Sequence, residues 1–272
     1  VSAIASALGV SRTSVHRAPR ASSERDTTDD DALLERIKLI IEAKPTFGYR
    51  RVTAALRREG RCVNHKRTYR LMKAAGLLLE RFAPKPDRPH DGKIITLKSD
   101  LRWCTDAFMI RCWSGEAVHV AFSLDCCDRE AISFVAADAH LNGEDIRDLI
   151  AASVEQRFGG IRASHAVEWL SDNGPQFVAN ETRKFAADCG LLPRNTRPYS
   201  PESNGMAEAF VKTFKRDFVY LADVRDAKTV LAQLPKWFEE YNESHPHKGL
   251  KMLSPREFRR ARHDQLNNFC SA

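Results

Sequence analysis

Three acidic residues have the side chains and settings for metal-dependent chemistry: Asp106 in RWCTDAF, Asp172 in EWLSDNGPQF and Glu208 in SPESNGMAEAFVKTFKRD. Asp106 interrupts an apolar run that reads as a strand. Asp172 follows a second such run, and Glu208 lies on a helical pattern. Carboxylates at strand ends and on a facing helix can converge, and three of them repel strongly unless cations neutralise them. Hard oxygen ligands suit Mg²⁺ or Mn²⁺ rather than zinc. By count, 65 residues separate Asp106 from Asp172 and 35 separate Asp172 from Glu208. The chemistry this allows is metal-assisted phosphoryl transfer.

Each carboxylate also has a plainer reading. A buried Asp106 without a metal would need a basic partner, but Arg102 and Arg111 lie four and five residues away along an extended chain. Asp172-Asn173-Gly174 is an ordinary turn sequence. Here it follows a buried strand, so the turn sits at a carboxyl end, where sites form in open sheets, and the two readings are compatible. Glu208 and Lys212 are spaced for an intrahelical ion pair. The same spacing puts Lys212 and Lys215 on the glutamate's face, placed for DNA phosphates.

The elements that must position these residues alternate in type. Leu101–Trp113, Ala117–Leu124 and Ala131–Ala137 read as a three-strand meander. Asn142 can cap a helix carrying Ile146, Leu149, Ile150, Val154 and Phe158. Val167–Leu170 is a short strand ending at Asp172. Pro175 to Cys189 reads as one helix, Leu191–Thr196 as a fifth strand, Glu202 to Tyr220 as a long helix and Ala227 to Tyr241 as another. That order predicts an α/β domain of RNase H-like type, with a mixed five-stranded sheet and flanking helices.

Ahead of it, the composition is basic. The net charge is +7, yet residues 44–98 hold 15 Lys+Arg against 4 Asp+Glu, so the rest of the chain is net acidic. Concentrated positive charge suits a phosphate-backbone surface. Apolar residues recur at helical spacing from Asp31 to Ala43, and PTFGYRRVTAALRREG continues the pattern to a stop at Gly60. Asn64 is placed to cap a further helix through Lys73. Lys66, Arg67, Arg70 and Lys73 are expected on its outer face and Tyr69 and Met72 inside. A small all-α, helix-turn-helix-like region over 32–79 follows, with Arg50, Arg51, Lys66, Arg67, Arg70 and Lys73 as candidate DNA contacts. Residues 1–17 carry a partial helix-turn-helix pattern. Residues 18–31 and 80–99 read as linkers, 100–262 as the catalytic core with C-terminal helices, and 263–272 as a tail. No run of about 18 apolar residues offers a membrane span. Seven cysteines with no CxxC pair suit reduced thiols in a cytosol.

The words TFGYRRV, RWCTDAF, LDCCDREA, SDNGPQF, SPESNGMAEAFVKTFKRD and YNESHPHKGL resemble the OrfB-type transposases of bacterial insertion sequences. These belong to the retroviral-integrase superfamily. The likeness runs from about residue 45 to 258. It implies an Asp, Asp, 35-residue, Glu (DDE) triad of Asp106, Asp172 and Glu208 holding two Mg²⁺ or Mn²⁺ ions. It also implies a DNA role for Lys215, and for Asn204 and Gly205 just before the catalytic helix. The implied activity is strand cleavage and strand transfer at the ends of an insertion sequence. The implied partners are terminal repeats, target DNA and further copies of the chain, in a bacterial cytoplasm and on its nucleoid. Because Val1 falls within a helix-turn-helix pattern, the chain is read as a fragment or as the downstream frame of a fused pair whose upstream frame recognises the element ends. Two other readings are a noncatalytic DNA-binding regulator and an RNase H-like nuclease without strand transfer. His245-Pro-His247 and Cys126-Cys127 are read as packing rather than metal sites, the cysteines on opposite sides of a strand.

Overall fold

The computed structural model describes residues 6–7, 27–80, 96–195 and 205–270. Apart from Ser6 and Ala7, the pattern at 1–17 lies outside the described residues, as do linker residues 18–26 and 81–95 and the candidate Asn204. The chain divides into two compact units, with the division between Leu78 and Leu79.

Over residues 27–78 the first unit holds three helices. In α1 (Thr27–Ala43), Leu33, Ile37 and Ile40 recur every third or fourth residue and are buried. In α2 (Tyr49–Arg58), Val52 and Leu56 are buried, and Gly60 at φ +80° supplies the left-handed turn that ends the run. In α3 (His65–Ala74), the Asn64 side chain accepts from Lys66 N at 2.9 Å, and Thr68, Leu71 and Met72 are buried. With Phe47 and Val63, these residues make one small core.

The start of α1 corrects an expectation. The stretch 18–31 reads as linker because it is polar, yet 27–31 is already helical. Its acidic run falls in the first turn, where the helix dipole favours negative charge. Arg67 and Arg70 of α3 donate to Asp30, each at 2.7 Å, and Arg67 also pairs with Asp29.

The second unit holds a mixed five-stranded sheet in the order β3-β2-β1-β4-β5. Its strands are β1 (Arg102–Arg111), β2 (Ala117–Asp125), β3 (Ala131–Ala137), β4 (Val167–Ser171) and β5 (Leu191–Asn195). The meander β1-β2-β3 is antiparallel, while β1-β4 and β4-β5 are parallel. Alternation along β1 splits the core. Trp103 and Ala107 join the cluster built with Ile146, Leu149 and Val154 of α4 (Gly143–Phe158). Cys104, Phe108 and Ile110 join Phe210 and Phe214 of α7 (Gly205–Asp217) and Phe238 of α8 (Ala227–Ser244). Asn142 caps α4 with a capping box, as its position predicts.

Three further expectations are corrected. The helix expected over Pro175–Cys189 breaks at Ala179, whose backbone is extended, into α5 (Pro175–Val178) and α6 (Asn180–Asp188). The break keeps Phe177 beside Trp169 while α6 turns to bury Thr182 and Ala186. The helix expected to reach Tyr220 ends at Asp217 and gives way to a 3-10 turn, Val219–Leu221. The expected tail is helical through Cys270, as part of α9 (Pro255–Cys270).

An ion network missed in the sequence ties the sheet to its helices. The Arg157 side chain is fully buried, 3.2 Å from both Asp128 and Glu130 and 3.5 Å from Asp100. Burial alone would depress the Arg157 pKa, but the surrounding carboxylates hold it raised. Arg256 and Arg259 reach Glu130 from α9 at 2.8 and 3.2 Å. Cys126 and Cys127 lie in the turn after β2, not on a strand as expected. His245 and His247 are buried and packed on Tyr241. Among the described residues, no helix is long and apolar enough to cross a membrane.

Candidate active site

Asp106 sits in the central strand, opposite Phe122 of β2. It has the parity of Cys104, Phe108 and Ile110, so its side chain projects to the face covered by α7 and α8. It is half-buried and accepts a hydrogen bond from Ala107 N at 2.8 Å. β4 pairs with β1 only as far as Thr105 and Ser171. Asp106 and Asp172 are therefore each one residue beyond the same matched pair, on strands that run about 4.8 Å apart. Asp172 continues the parity of Leu170, which packs in the same cluster.

Local chemistry fixes Asp172. Its Oδ1 accepts from Gly174 N at 3.0 Å, closing the turn that the Asp-Asn-Gly word predicts, and Asn195 Nδ2 donates to its carbonyl at 3.2 Å. A Cβ at Gly174 would stand 3.1 Å from that same Oδ1, so a side chain there would crowd the carboxylate. Pro175 then opens α5.

Glu208 lies in the first turn of α7, with Ala207 and Phe210 buried on either side of it. Its side chain is 44% exposed, and Lys212 Nζ stands 3.5 Å from its Oε2. Lys215, one turn further, lays its ammonium over the Phe108 ring at 5.5 Å, and burial lowers its pKa. Gly205 is the first residue of this helix.

Asp106 feels the charges of the other two carboxylates. Burial pushes the Asp106 carboxyl from 3.8 up to about 6; the Ala107 N–H opposes the rise, and the charges of Asp172 and Glu208 add to it. A half-buried carboxylate facing two others is a site that gains from a cation. The donors are all carboxylate oxygens, which fits a hard divalent ion in kind. Among the described residues, however, no three His, Cys, Asp or Glu side chains are gathered tightly enough to ligate one ion. The three carboxylates lie toward one face of the sheet without being gathered into a closed three-ligand cage.

The candidate DNA contacts of the first unit divide in two. Lys66 and Lys73 are exposed on α3 and Arg50 on α2. Arg50 and Arg51 also lie over the Tyr49 and Phe47 rings at 5.0 and 5.5 Å. Arg67 and Arg70 are instead engaged by Asp29 and Asp30 and fasten α3 to α1.

Comparison with known proteins fits both units. An HTH-like domain model matches residues 28–82, and two integrase core domain models match residues 97–201 and 190–255. Transposase InsD for insertion element IS2D of Escherichia coli (strain K12) is 45% identical over 276 residues, covering 96% of this chain and 91% of its own length. The chain belongs to the insertion-element transposase family. The InsD transposase of IS2-9, from the same strain, is likewise 45% identical, with 90% of its length covered. A chain of the simian T-cell lymphotropic virus intasome, solved with the PP2A regulatory subunit B56 gamma, aligns at TM-score 0.52 and 13% identity. That alignment covers 82% of this chain and 73% of the other, and it supports the RNase H-like fold alone.

Membership makes this transposase a polynucleotidyl transferase of the integrase type with DNA as its partner, in a family that generally uses divalent metal ions. Sequence reasoning did not single out the Arg157 network of the transposase. Its only signal was the crowding of charges in DCCDRE, where Asp125 accepts from the backbone N–H groups of Asp100, Cys127 and Asp128. Nor did it single out Trp113 and Tyr220, whose exposure is a tertiary property.

Proposed function

We propose that Asp106, Asp172 and Glu208 are the catalytic, metal-holding DDE carboxylates of this transposase, and that the reaction is strand cleavage followed by strand transfer at the ends of its insertion sequence. The observation that carries the reading is Asp106: half-buried, mid-strand, and raised toward neutrality mainly by burial, with the charges of the other two acids adding to it. Two Mg²⁺ or Mn²⁺ ions bound by these carboxylates would activate a water or a 3′-hydroxyl and stabilise the leaving 3′-oxygen. Asp106 must give up its proton to serve as a ligand, which couples metal binding to pH. Asp172 is held in place by the Gly174 N–H, so one of its oxygens is already oriented. Lys212 and Lys215 follow Glu208 along one helix face and would meet the phosphates flanking the scissile bond. Asn204 and Gly205 would supply backbone contacts just ahead of that helix.

The helical unit would bind duplex DNA through Arg50, Arg51, Lys66 and Lys73, with Arg67 and Arg70 dividing their charge between DNA and α1. Two element ends must be brought together, so the working form is a homo-multimer, and an upstream-frame DNA-binding protein, fused or separate, is the expected partner. The site of action is the bacterial cytoplasm, on the nucleoid. The test is to incubate the protein with a pre-cut terminal repeat, a target plasmid and Mg²⁺. Joined products from wild type but not from Asp172→Asn support the proposal. Cutting without joining would make the protein a nuclease, and binding without either would make it a regulator.

A further inference from the structure

Among the described residues, the β4 side of β1 has no strand partner beyond Thr105, because β4 ends its pairing at Ser171. Starting three residues past Asp106 lies a groove of about 480 Å³ between the end of β1 and the close of α7. Its walls include Met109, Arg111, Trp113, Lys215, Val219 and Tyr220, and among the described residues no acidic side chain lines it. Among the described residues, neither Arg111 nor Lys215 forms an ion pair.

Two features of this groove are unlike an ordinary surface cleft. Trp113 is 72% exposed and Tyr220 73%, an unfavourable setting for two large aromatic side chains. Neither stands on a loose loop. Trp113 N donates to Val224 O at 2.9 Å and Ser114 N to Arg225 O at 3.0 Å, so the β1-β2 hairpin is stitched to the segment after α7. Tyr220 sits in the 3-10 turn Val219–Leu221. The rings are thus presented on a fixed backbone, with cations beside them.

We propose that this groove is a track for an unpaired DNA strand leaving the carboxylate site, with bases stacking on Trp113 and Tyr220 and phosphates meeting Arg111 and Lys215. Exposed aromatic platforms beside a positive groove are how proteins hold single strands without reading sequence. The volume is in the range that takes a nucleotide-sized ligand. Continuity decides the occupant. Lys215 rests on Phe108, two residues along from Asp106 on the same strand face, and lies two helical turns from Glu208. A strand passing the carboxylates would reach the groove along α7 and the end of β1. An apolar protein segment added to the β1 edge would use the rings but would gain nothing from Arg111 and Lys215.

The inference rests on the strand-transfer reading, but its test does not need catalysis. Binding is measured by fluorescence anisotropy in EDTA, for a blunt duplex and for the same duplex with an unpaired tail of several nucleotides. The tail carries 2-aminopurine. Wild type is expected to prefer the tailed duplex and to quench the 2-aminopurine. The Trp113→Ala, Tyr220→Ala double variant is expected to bind the tailed duplex at least about tenfold more weakly, lose the quenching and bind the blunt duplex as before. Trp113→Phe with Tyr220→Phe should restore the preference, which separates stacking from a folding defect. Equal affinity of wild type for both duplexes overturns the proposal, and so does a preference that survives the double alanine variant. A double variant altered only in oligomeric mass by light scattering would overturn it in favour of a protein occupant. These outcomes hold whatever the joining assay returns, so failure of the strand-transfer reading and failure of this one are distinguishable.

Discussion

Asp106 and Asp172 each stand one residue past the matched pair Thr105–Ser171, on neighbouring parallel strands, and both continue the parity of side chains that face α7. The β1-β2 ladder holds Asp106, and the turn after β4 holds Asp172. Burial does most to raise the Asp106 pKa, and the charges of Asp172 and Glu208 add to it.

That raised pKa predicts a stability effect. The Asp106 pKa in the fold, about 6, lies above its ordinary value of 3.8. The folded state therefore binds the proton more tightly than the unfolded chain does. The resulting stabilisation is present in full below about pH 4 and lost as pH rises through about 6. At pH 7.5 without metal, Asp106→Asn should be more stable than wild type, by up to about 3 kcal/mol for a two-unit shift. Urea denaturation from pH 4 to 8 in EDTA measures it, and a variant curve parallel to wild type throughout would sink the idea. Added Mg²⁺ should raise the wild-type Tm and leave the variant nearly unchanged.

Lys212 illustrates the opposite case. Its pair with Glu208 joins a side chain 78% exposed to one 44% exposed, and such pairs contribute a few tenths of a kcal/mol at most. Lys212→Ala should leave the Tm within a degree of wild type. Its effect should appear in DNA binding, with weaker affinity and a salt dependence shallower by about one phosphate contact. A large Tm loss with unchanged salt slope would mean that Lys212 is structural.

The strands, the Asn142 cap and the three carboxylates were legible because each depends on a local period or a local word. Alternation places Asp106 on the face of Phe108, and helical spacing places Glu208 beside Lys212. The features that were not legible join distant parts of the chain. Glu130 meets Arg256 across 126 positions, and Arg67 meets Asp30 across 37. No period announces such a partner. The break at Ala179 was hidden for a related reason: nothing in PQFVANETRKF disfavours a helix, and the kink follows from where Phe177 must pack. The groove at the end of β1 was invisible because Trp113 and Tyr220 are aromatic residues at the ends of apolar runs, which ordinarily turn inward.

Arg157 tests the buried network. Its guanidinium, wholly removed from solvent, answers Asp128 and Glu130, which are themselves buried. Removing one partner of such a group leaves uncompensated charge inside, at a cost of about 3 to 5 kcal/mol. Arg157→Ala should therefore unfold or strongly destabilise the second unit and abolish activity, although the network contains none of the three site carboxylates. Replacing Arg157, Asp128 and Glu130 together with apolar residues of similar volume should recover much of the loss. Chemical denaturation of both variants decides between a charge network and simple packing.

The first unit offers a paired comparison on a single helix. Lys66 and Arg67 are neighbours on α3, but only Arg67 is held by acids, donating to Asp30 at 2.7 Å and pairing with Asp29. Burial pushes the Asp30 pKa up, yet Arg67 and Arg70 outweigh it and hold the carboxyl below its usual value. That stabilisation is present above about pH 4 and lost as pH falls through the depressed pKa. Arg67→Ala should thus lower the Tm of the helical unit at pH 7, and the difference from wild type should vanish in acid. Lys66→Ala should leave the Tm alone and reduce both DNA affinity and its salt dependence. Differential scanning calorimetry with a salt titration of duplex binding separates the two. If Lys66→Ala destabilises the unit while Arg67→Ala only weakens DNA binding, the division between fastening and contact residues on α3 is wrong.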